Sequence, residues 1–251
     1  MAMTIDFSGK TALVTGGSMG IGKATVLEFA KAGANVAFTY RSHGDEAKAI
    51  VVEAESIGVK ALAVKADVAD YHRAAEVVAE VVDTFGGLDF LVNNAGMNWD
   101  GVIWKMEEEQ WDRVIDVDLK GCFNFLRAAT PHLREQRGGS IVNVTSINGL
   151  RGKFGQSNYT AAKGGVIALT KTVAREMGRS DVNVNAVAPG LIETEMVSEA
   201  PDSVKEKALG EIILGRLGQP AEVGQAIVWL CSPMARHITG QVINVDGGQY
   251  I

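Results

Sequence analysis

Short apolar or β-branched runs alternate with longer amphipathic stretches along the whole chain of 251 residues. Several of the short runs are continuously apolar, as is typical of strands that are covered on both faces. This alternation predicts parallel strands that are joined by right-handed helical crossovers. The predicted strands are Thr11–Thr15, Asn35–Tyr40, Ala61–Lys65, Phe90–Asn93, Ser140–Thr145, Asn183–Ala188 and Gln241–Asn244.

Helical patterns fill the intervals between these strands, at about 20–32, 44–57, 69–85, 107–136, 155–178 and 220–231. Gly58 and Gly86 stand at the C-cap positions of the second and third helices. No linker interrupts the alternation, so we expect one domain over residues 1–251. The expected fold class is α/β, a single Rossmann-type doubly wound parallel sheet of about seven strands with helices on both faces. The polar stretch at about 191–216 follows the sixth strand at the ligand-binding edge, where we expect a substrate lid.

Composition and charge narrow the functional classes. Apolar residues make up 47% of the chain, enough for a large core, and a net charge of −6 disfavours nucleic acid and anionic membrane partners. Cys122 and Cys231 lack a CxxC spacing, so we expect two buried, reduced thiols. The four histidines are too far apart in the sequence to predict a metal site. We expect a cytoplasmic protein, since the sequence contains neither a leader nor a membrane-spanning apolar run.

The turn after the first strand reads Thr15-Gly-Gly-Ser-Met-Gly-Ile-Gly22 and runs directly into a helix. Glycine lets the backbone approach a phosphate closely, and a helix N-terminus offers free N–H groups and partial positive charge. The position predicts a site for a dinucleotide pyrophosphate, and a tight turn without a ligand is the alternative. The candidate residues are Gly16, Ser18, Met19, Gly20, Ile21 and Gly22.

The second strand ends in Tyr40-Arg41-Ser42, at the place where a dinucleotide fold reads the adenosine ribose. An acidic residue there favours NAD, whereas a cation favours the 2′-phosphate of NADP. The next carboxylate is Asp45, so we expect NADP(H) to be favoured over NAD(H), with Arg41 as a charge-assisted partner of the phosphate. The alternative is that Arg41 is an ordinary solvated loop residue.

Tyr159 and Lys163 stand four residues apart at the start of a predicted helix, which places the phenol and the ammonium on one face with a rise of about 6 Å between them. Ser146 follows the fifth strand, and its hydroxyl is expected to face the same crevice. Taken alone, Ser146 is equally well explained as an N-cap or turn serine. Together the three side chains suit proton transfer to a carbonyl oxygen that receives a hydride.

With these residues in place, the chain resembles the short-chain dehydrogenase/reductase family over essentially its whole length. The resemblance is carried by Thr15 to Gly22, Asp67-Val68, Asn93 to Gly96, Ser146 thirteen residues before Tyr159, Lys163, and Pro189-Gly190 with Thr194. It implies cofactor contacts from Asp67, Val68, Asn94, Ala95, Gly96, Tyr159, Lys163, Pro189, Gly190, Ile192 and Thr194. Within the family, the stretch from Asp112 to Lys163 is similar to 3-oxoacyl-carrier-protein reductases and acetoacetyl-CoA reductases. The resemblance therefore implies NADPH-dependent reduction of a 3-oxoacyl thioester, with Tyr159 as the proton donor.

Charges near the phenol lead to a further expectation. Lys163 is expected to lower the pKa of Tyr159, because a unit charge about 6 Å away at an effective dielectric near 20 is worth ~2.8 kcal/mol. The chain has Asp118 where the resemblance leads us to expect an asparagine in the catalytic set. We expect an active enzyme in which Asp118 acts through a water-linked relay, holds the Lys163 proton more tightly and alters the pH dependence. If the family uses mainly the backbone carbonyl at this position, the replacement is nearly silent.

Residues near the crevice are candidates for substrate and partner contacts. Substrate contacts are expected from the amide of Gln156 and from the apolar residues Phe154, Met97, Trp99 and Met196. By resemblance, Arg137 matches a position that grips an acyl carrier protein, whereas Ser180, with Arg179 beside it, occupies the place of a second such arginine. Arg151 and Lys153 are alternative contacts for CoA phosphates. The resemblance also implies a homotetramer that forms through the long helices.

Two other functions stay open on the sequence alone. The same machinery serves equally for another small ketone or alcohol, such as a sugar or a cyclic alcohol, and activity on acetoacetyl-CoA separates the two readings. A non-catalytic dinucleotide-sensing protein is the third reading. The intact set of Ser146, Tyr159 and Lys163 disfavours it.

Overall fold

The structure, a computed structural model, describes residues 5–198, 206 and 209–251, and for Met196 and Ser198 it describes the backbone only. The strands are β1 (Thr11–Val14), β2 (Asn35–Tyr40), β3 (Ala61–Lys65), β4 (Phe90–Asn93), β5 (Gly139–Val144), β6 (Val182–Pro189) and β7 (Val242–Val245). Within the described ranges they form one parallel sheet of seven strands in the order β3-β2-β1-β4-β5-β6-β7. Each predicted strand is present within one residue of its expected bounds, and the predicted doubly wound α/β fold is confirmed.

The helices fill the intervals between the strands, as the sequence predicts. They are α1 (Gly20–Lys31), α2 (Gly44–Ile57), α3 (Tyr71–Phe85), α4 (Glu108–Val114), α5 (Gly121–Gln136), α6 (Ile147–Arg151), α7 (Ser157–Met177), α8 (Glu195–Ser198) and α9 (Pro220–Cys231). Gly58 and Gly86 end α2 and α3 in the left-handed region, with φ of 104° and 81°, so both predicted C-caps are confirmed. Asp70 caps α3 by accepting hydrogen bonds from two backbone N–H groups of the first turn.

The helix predicted at 107–136 is interrupted, and this corrects the sequence interpretation. A π-helical turn at Ile115–Lys120 separates α4 from α5. A π turn closes i→i+5 hydrogen bonds in place of the i→i+4 bonds of an α-helix. The hydrophobic period continues across the turn, which is why the sequence pattern reads as one helix. The short helix α6 was also missed, because five residues are too few to show a period.

Helices cover both faces of the sheet, and alternate residues of β1 show the division. Ala12 and Val14 belong to a core cluster that α1, α2 and α9 share. Leu13 belongs to a second cluster that α3, α5 and α7 share. All three side chains are fully buried, which explains why the strand sequence is apolar without alternation.

The strand order reverses at the centre of the sheet, where β1 lies between β2 and β4. The chain leaves β1 toward one face and β4 toward the other. In open sheets of this type, a crevice forms beyond the carboxyl ends of the strands at this switch point. The glycine-rich turn, which follows β1, and the segment that follows β4 therefore border the same crevice.

The expected lid at 191–216 is described only in part, since residues 199–205 and 207–208 lie outside the described ranges. Ile192 forms a β-bridge with Gly218, and the N–H of Leu214 donates to the Gly247 carbonyl oxygen. These contacts place both ends of the segment at the carboxyl edge of the sheet. Movement of the segment stays a prediction.

Three further expectations concern thiols, membranes and metals. Cys122 and Cys231 are free and buried, as expected. None of the helices in the described part of the chain has the length and apolarity needed to cross a membrane. Among the described side chains, no cluster of His, Cys, Asp or Glu is arranged to hold a metal ion.

Candidate active site

The glycine-rich turn has the shape of a phosphate cradle. Gly16 and Gly20 have φ of 64° and 52°, a region that side-chain-bearing residues rarely adopt. A Cβ atom on Gly22 would lie 2.1 Å from the Gly16 carbonyl oxygen, so only glycine fits there. Met19 precedes α1 without capping it by a side-chain hydrogen bond, which leaves the first N–H groups of the helix available to an anion. The turn therefore fits the pyrophosphate of a dinucleotide.

Hydrogen bonds of the Asn94 and Thr15 side chains join this turn to the segment after β4. The Asn94 amide nitrogen Nδ2 donates to the carbonyl oxygens of Thr15 and Gly16, at 2.9 and 3.0 Å. Thr15 Oγ1 in turn accepts from the backbone N–H groups of Asn94 and Ala95, at 2.9 and 3.0 Å. The Asn94 side chain thus supports the turn, a role that the sequence did not predict.

Arg41, the cation expected to bind the 2′-phosphate, lies at the end of the crevice that follows β2. Arg41 and Ser42 are exposed just beyond β2, and Tyr40 is half-buried at its end. Asp67 Oδ2 accepts from Arg113 Nη2 at 2.8 Å, an ion pair that sequence reasoning missed because the partners stand 46 residues apart. Partial burial raises the pKa of Asp67, but Arg113, the Ala69 N–H and Arg41 together lower it below its ordinary value. The Asp67 carboxylate is therefore charged and fixed in place.

The segment after β6 returns to the glycine-rich turn. A Cβ atom on Gly20 would lie 3.3 Å from Thr194 Cγ2, so the two segments are in contact. The N–H of Gly190 donates to the Val245 carbonyl oxygen at 3.1 Å, and Ile192 is buried. The predicted cofactor residues Pro189, Gly190, Ile192 and Thr194 therefore lie along one wall of the crevice, with Val68, Ala95 and Gly96 on the strand ends beside it.

Ser146, Tyr159 and Lys163 converge as predicted. Ser146 follows β5 and caps α6, where its Oγ accepts from the Asn148 N–H at 3.1 Å, and its hydroxyl lowers the pKa of the nearby Tyr159 phenol. Lys163 Nζ lies 5.5 Å from the centre of the Tyr159 ring. It donates to the Val144 carbonyl oxygen at 3.1 Å, which fixes the buried ammonium near the end of β5. Ser146 is therefore the cap of α6, and its role toward a substrate oxygen stays a prediction.

Asp118 contacts Lys163 directly, which corrects the expected water-linked relay. Asp118 Oδ2 lies 3.2 Å from Lys163 Nζ, and Oδ1 accepts from the Met97 N–H at 2.8 Å. A Cβ atom on Gly96 would stand 2.9 Å from Asp118 Oδ2 and 3.1 Å from Lys163 Nζ. The ion pair is therefore packed beneath a glycine, and the π-helical turn aims the carboxylate into it.

Burial dominates the acid–base properties of Tyr159. It raises the pKa of Tyr159, and the carboxylates of Asp118 and Asp100 act in the same direction. The Lys163 ammonium and the Ser146 hydroxyl lower it without reversing the direction. Lys163 thus lowers the pKa of Tyr159 as expected, but the net shift of this pKa is upward.

The pKa values of Asp118 and Lys163 are both raised, for different reasons. Burial lowers the pKa of Lys163, but the charges of Asp118 and Tyr159 outweigh burial, so the pKa lies above its ordinary value. Burial raises the pKa of Asp118, although Lys163 and the Met97 N–H favour its charged form. Lys163 therefore keeps its proton at neutral pH.

The predicted substrate residues differ in their exposure and in whether they are hydrogen-bonded within the protein. Gln156 is engaged within the protein, since its Nε2 lies 3.1 and 3.2 Å from the two Asp100 oxygens and its Oε1 accepts from Asn148 at 3.1 Å. Trp99 is 40% exposed and Phe154 is 81% exposed, so Phe154 extends into solvent. Met97 is half-buried against the core. The side chain of Met196 lies outside the described residues.

The basic residues that are candidates for partner binding differ in exposure and in whether they already form an ion pair. Arg137 is exposed in the left-handed region, and its Nη2 donates to the Arg179 carbonyl oxygen at 3.3 Å, so these two arginines are neighbours. Arg151 pairs with Glu211 at 3.0 Å and is therefore less available to a phosphate than the exposed Lys153.

A glycine-rich turn and a Ser-Tyr-Lys set at the carboxyl edge of a parallel sheet define an α/β oxidoreductase of the dinucleotide-binding class. The sequence profile described as enoyl-(acyl carrier protein) reductase matches residues 16–249, which include both features. The chain belongs to the short-chain dehydrogenase/reductase family.

Relatives match the chain over nearly all of its length. It is 46% identical over 242 residues to 3-oxoacyl-(acyl-carrier-protein) reductase FabG of Staphylococcus epidermidis, covering 96% of this chain and 99% of the relative. It is 47% identical over 247 residues to the protein of the same name from Thermotoga maritima, covering 97% and 98%. The 3-oxoacyl-(acyl-carrier-protein) reductase of a Synechocystis species is 44% identical over 240 residues.

Proposed function

We propose that this protein reduces 3-oxoacyl thioesters to 3-hydroxyacyl thioesters with NADP(H) as the reductant. The observation that carries the proposal is the convergence of Ser146, Tyr159 and Lys163 at the carboxyl edge of the sheet, with the buried Lys163 ammonium 5.5 Å from the centre of the phenol ring. The names of the relatives, which act on 3-oxoacyl thioesters of a carrier protein, support the choice of substrate. We expect one catalytic domain in the cytoplasm, with 191–216 as its lid.

Each member of the Ser-Tyr-Lys set has a separate task. The reduced nicotinamide, when bound, supplies a hydride to the ketone carbon. The Tyr159 hydroxyl donates its proton to the ketone oxygen, and the Ser146 hydroxyl donates a hydrogen bond to that oxygen as negative charge develops on it. Lys163 stabilises the phenolate that remains. The raised pKa of Tyr159 suits this direction, because the acid stays protonated at neutral pH until the substrate takes the proton.

The crevice offers a binding residue for each part of the cofactor. The pyrophosphate is assigned to the turn at 16–22, where the glycines admit it closely, and Lys163 and Tyr159 face the nicotinamide ribose. The adenine is assigned to Asp67 and Val68, and the nicotinamide amide to the segment from Pro189 to Thr194. Arg41 is exposed where the 2′-phosphate of NADP would lie, which supports NADP(H) over NAD(H).

The thioester group is assigned to the entrance between Trp99 and Gln156, with Met97, Phe154 and Met196 along the acyl chain. Gln156 Nε2 donates to the two Asp100 oxygens, so a substrate oxygen would share this amide with Asp100. Arg137, beside Arg179, offers positive charge to an acidic carrier protein. Lys153 is the alternative contact for a CoA phosphate. A homotetramer formed through the long helices stays part of the proposal.

A substrate panel tests the proposal. 3-Oxoacyl carrier protein, acetoacetyl-CoA, an enoyl thioester, a cyclic ketone and a sugar are each assayed with NADPH and with NADH. We expect the highest kcat/KM for 3-oxoacyl thioesters with NADPH, and a loss of at least about a thousandfold in Tyr159→Phe. Tyr71→Phe is the matched control, because Tyr71 lies on α3 and stacks on Phe123 outside the crevice. A preference for the enoyl thioester, or full activity of Tyr159→Phe, would refute the proposal.

A further inference from the structure

The carboxylate of Asp118 is buried and forms an ion pair with Lys163, although its Oδ2 accepts no hydrogen bond from the described residues. Only 1% of Asp118 is exposed, and 4% of Lys163. Oδ1 accepts the Met97 N–H, and Oδ2 faces Lys163 Nζ at 3.2 Å. An unpaired buried charge costs several kcal/mol, so the Lys163 ammonium needs a counter-charge, and without the Asp118 carboxylate the Tyr159 phenolate is the one that remains. The pair is therefore a fixed part of the site.

We propose that Asp118 is a positioning residue that holds the Lys163 ammonium beside Tyr159 and keeps the phenol protonated to higher pH than Lys163 alone would allow. The inference rests on the proposed function, because it assigns Tyr159 as the acid. It deepens that function by assigning a residue that sets the pH range over which Tyr159 can act as the acid.

The charged and titratable groups that face the pair come from four elements. Asp118 stands on the π-helical turn, and Tyr159 shares α7 with Lys163. Cys122 faces the pair from α5, where burial raises the pKa of its thiol to about 12, so it stays neutral. Asp100, in the segment after β4, acts on Tyr159 from the entrance. Lys163 is thus the one cation in this set, and two carboxylates oppose its effect on the phenol.

The two directions of the reaction need opposite forms of the phenol. Reduction requires the protonated phenol, which donates to the ketone oxygen. Oxidation of the alcohol requires the phenolate, which accepts the hydroxyl proton. Since the Asp118 carboxylate raises the pKa of Tyr159, it extends the pH range of reduction upward and delays oxidation to more alkaline pH.

Titration of the Tyr159 phenol, in the absence of substrate and cofactor, tests this inference. The ultraviolet absorbance of phenolate is followed against pH in the wild type and in Asp118→Asn, and the same curves recorded in the Tyr159→Phe background are subtracted. We expect Asp118→Asn to give about tenfold more Tyr159 phenolate at a given alkaline pH below the midpoint, since a nearby unit charge has been removed. The pH profile of alcohol oxidation should move toward neutral pH with it.

Asp116→Asn is the matched control. Asp116 lies on the same π-helical turn, but it pairs with the exposed Lys120 at 3.3 Å, and its side chain is 44% exposed. We expect the Tyr159 titration of this variant to equal that of the wild type. Asp118→Glu restores the charge and should move the curve back toward the wild type.

The outcomes separate the inference from the proposed function. A folded Asp118→Asn that titrates like the wild type overturns the inference. If Asp118→Asn does not fold, Asp118→Ser is measured in its place, and failure of both to fold assigns Asp118 to the fold alone and also overturns it. Because the titration uses no substrate, a wrong substrate assignment leaves its result unchanged.

Discussion

The substitution Gly22→Ala is expected to destabilise the protein and to weaken NADPH binding, because residue 22 lies directly under the glycine-rich turn. A Cβ atom there would stand 2.1 Å from the Gly16 carbonyl oxygen and 2.5 Å from Asn94 Nδ2. Real Cβ atoms essentially never approach another heavy atom within 3.0 Å. The turn must therefore move away from the helix by about 1 Å.

The magnitude follows from the contacts that this movement breaks. Overpacking of a tight site costs about 1–3 kcal/mol. The two hydrogen bonds from Asn94 to the turn are strained as well, at about 1 kcal/mol each, while the better helix propensity of alanine returns about 1 kcal/mol. We expect a net loss of about 2–4 kcal/mol in the free energy of unfolding and at least about tenfold weaker NADPH binding.

Urea unfolding and a fluorescence titration with NADPH measure the two effects separately. Gly178→Ala is the matched control, since Gly178 follows α7 with a helical φ of −57° and a Cβ atom there would meet nothing within 4 Å. This control should be at least as stable as the wild type and should bind NADPH equally well. If Gly22→Ala matches the control in both assays, the glycine-rich turn is not a close-fitting cradle.

Three further substitutions probe other parts of the chain. Arg41→Ala should lower kcat/KM with NADPH by about 10- to 100-fold through loss of a charge-assisted hydrogen bond, and comparable losses with NADH would contradict the role of Arg41. Asn143→Ala should destabilise the fold by about 2–4 kcal/mol in urea unfolding, because its buried amide accepts from Asn93 Nδ2 at 2.8 Å and donates to Thr170 Oγ1 at 2.9 Å. The substitution leaves Asn93 Nδ2 without this partner and leaves Thr170 Oγ1 with its bond to the Val166 carbonyl oxygen alone. A change under about 1 kcal/mol would argue that water replaces the amide. Arg151→Gln should change stability by less than about 1 kcal/mol, since its ion pair is partly exposed, and a larger loss would show that the pair fastens the segment at Glu211.

The sheet could be predicted from the sequence because its signals are local. The runs that form β1 to β7 are apolar over consecutive residues, and the glycines that end α2 and α3 adopt the left-handed conformation that their chemistry allows. Ser146, Tyr159 and Lys163 could be placed together for a related reason. Parallel strands put their carboxyl ends at one edge, so a residue after β5 and residues at the start of the following long helix meet there.

The contacts that could not be predicted all join distant residues. Arg113 and Asp67 stand 46 residues apart, and Gln156 and Asp100 stand 56 apart. Side chains of such pairs are common on any surface, and only the packing of helices on the sheet decides which of them meet. The π-helical turn has no sequence signal either, because the apolar period of α4 and α5 passes through it unchanged.

That turn also explains why the lysine can be buried at all. Lys163 sits on the inner face of α7, where water is excluded and a lone ammonium would lower the stability of the fold by several kcal/mol. Asp118 lies on the π-helical turn with its side chain buried, and Gly96 leaves room for its carboxylate. The ammonium is therefore neutralised by the chain itself before any ligand binds, and the same contact works against the phenolate form of Tyr159. In this protein the residue that makes the site compatible with folding is thus also the residue that biases its proton chemistry toward reduction.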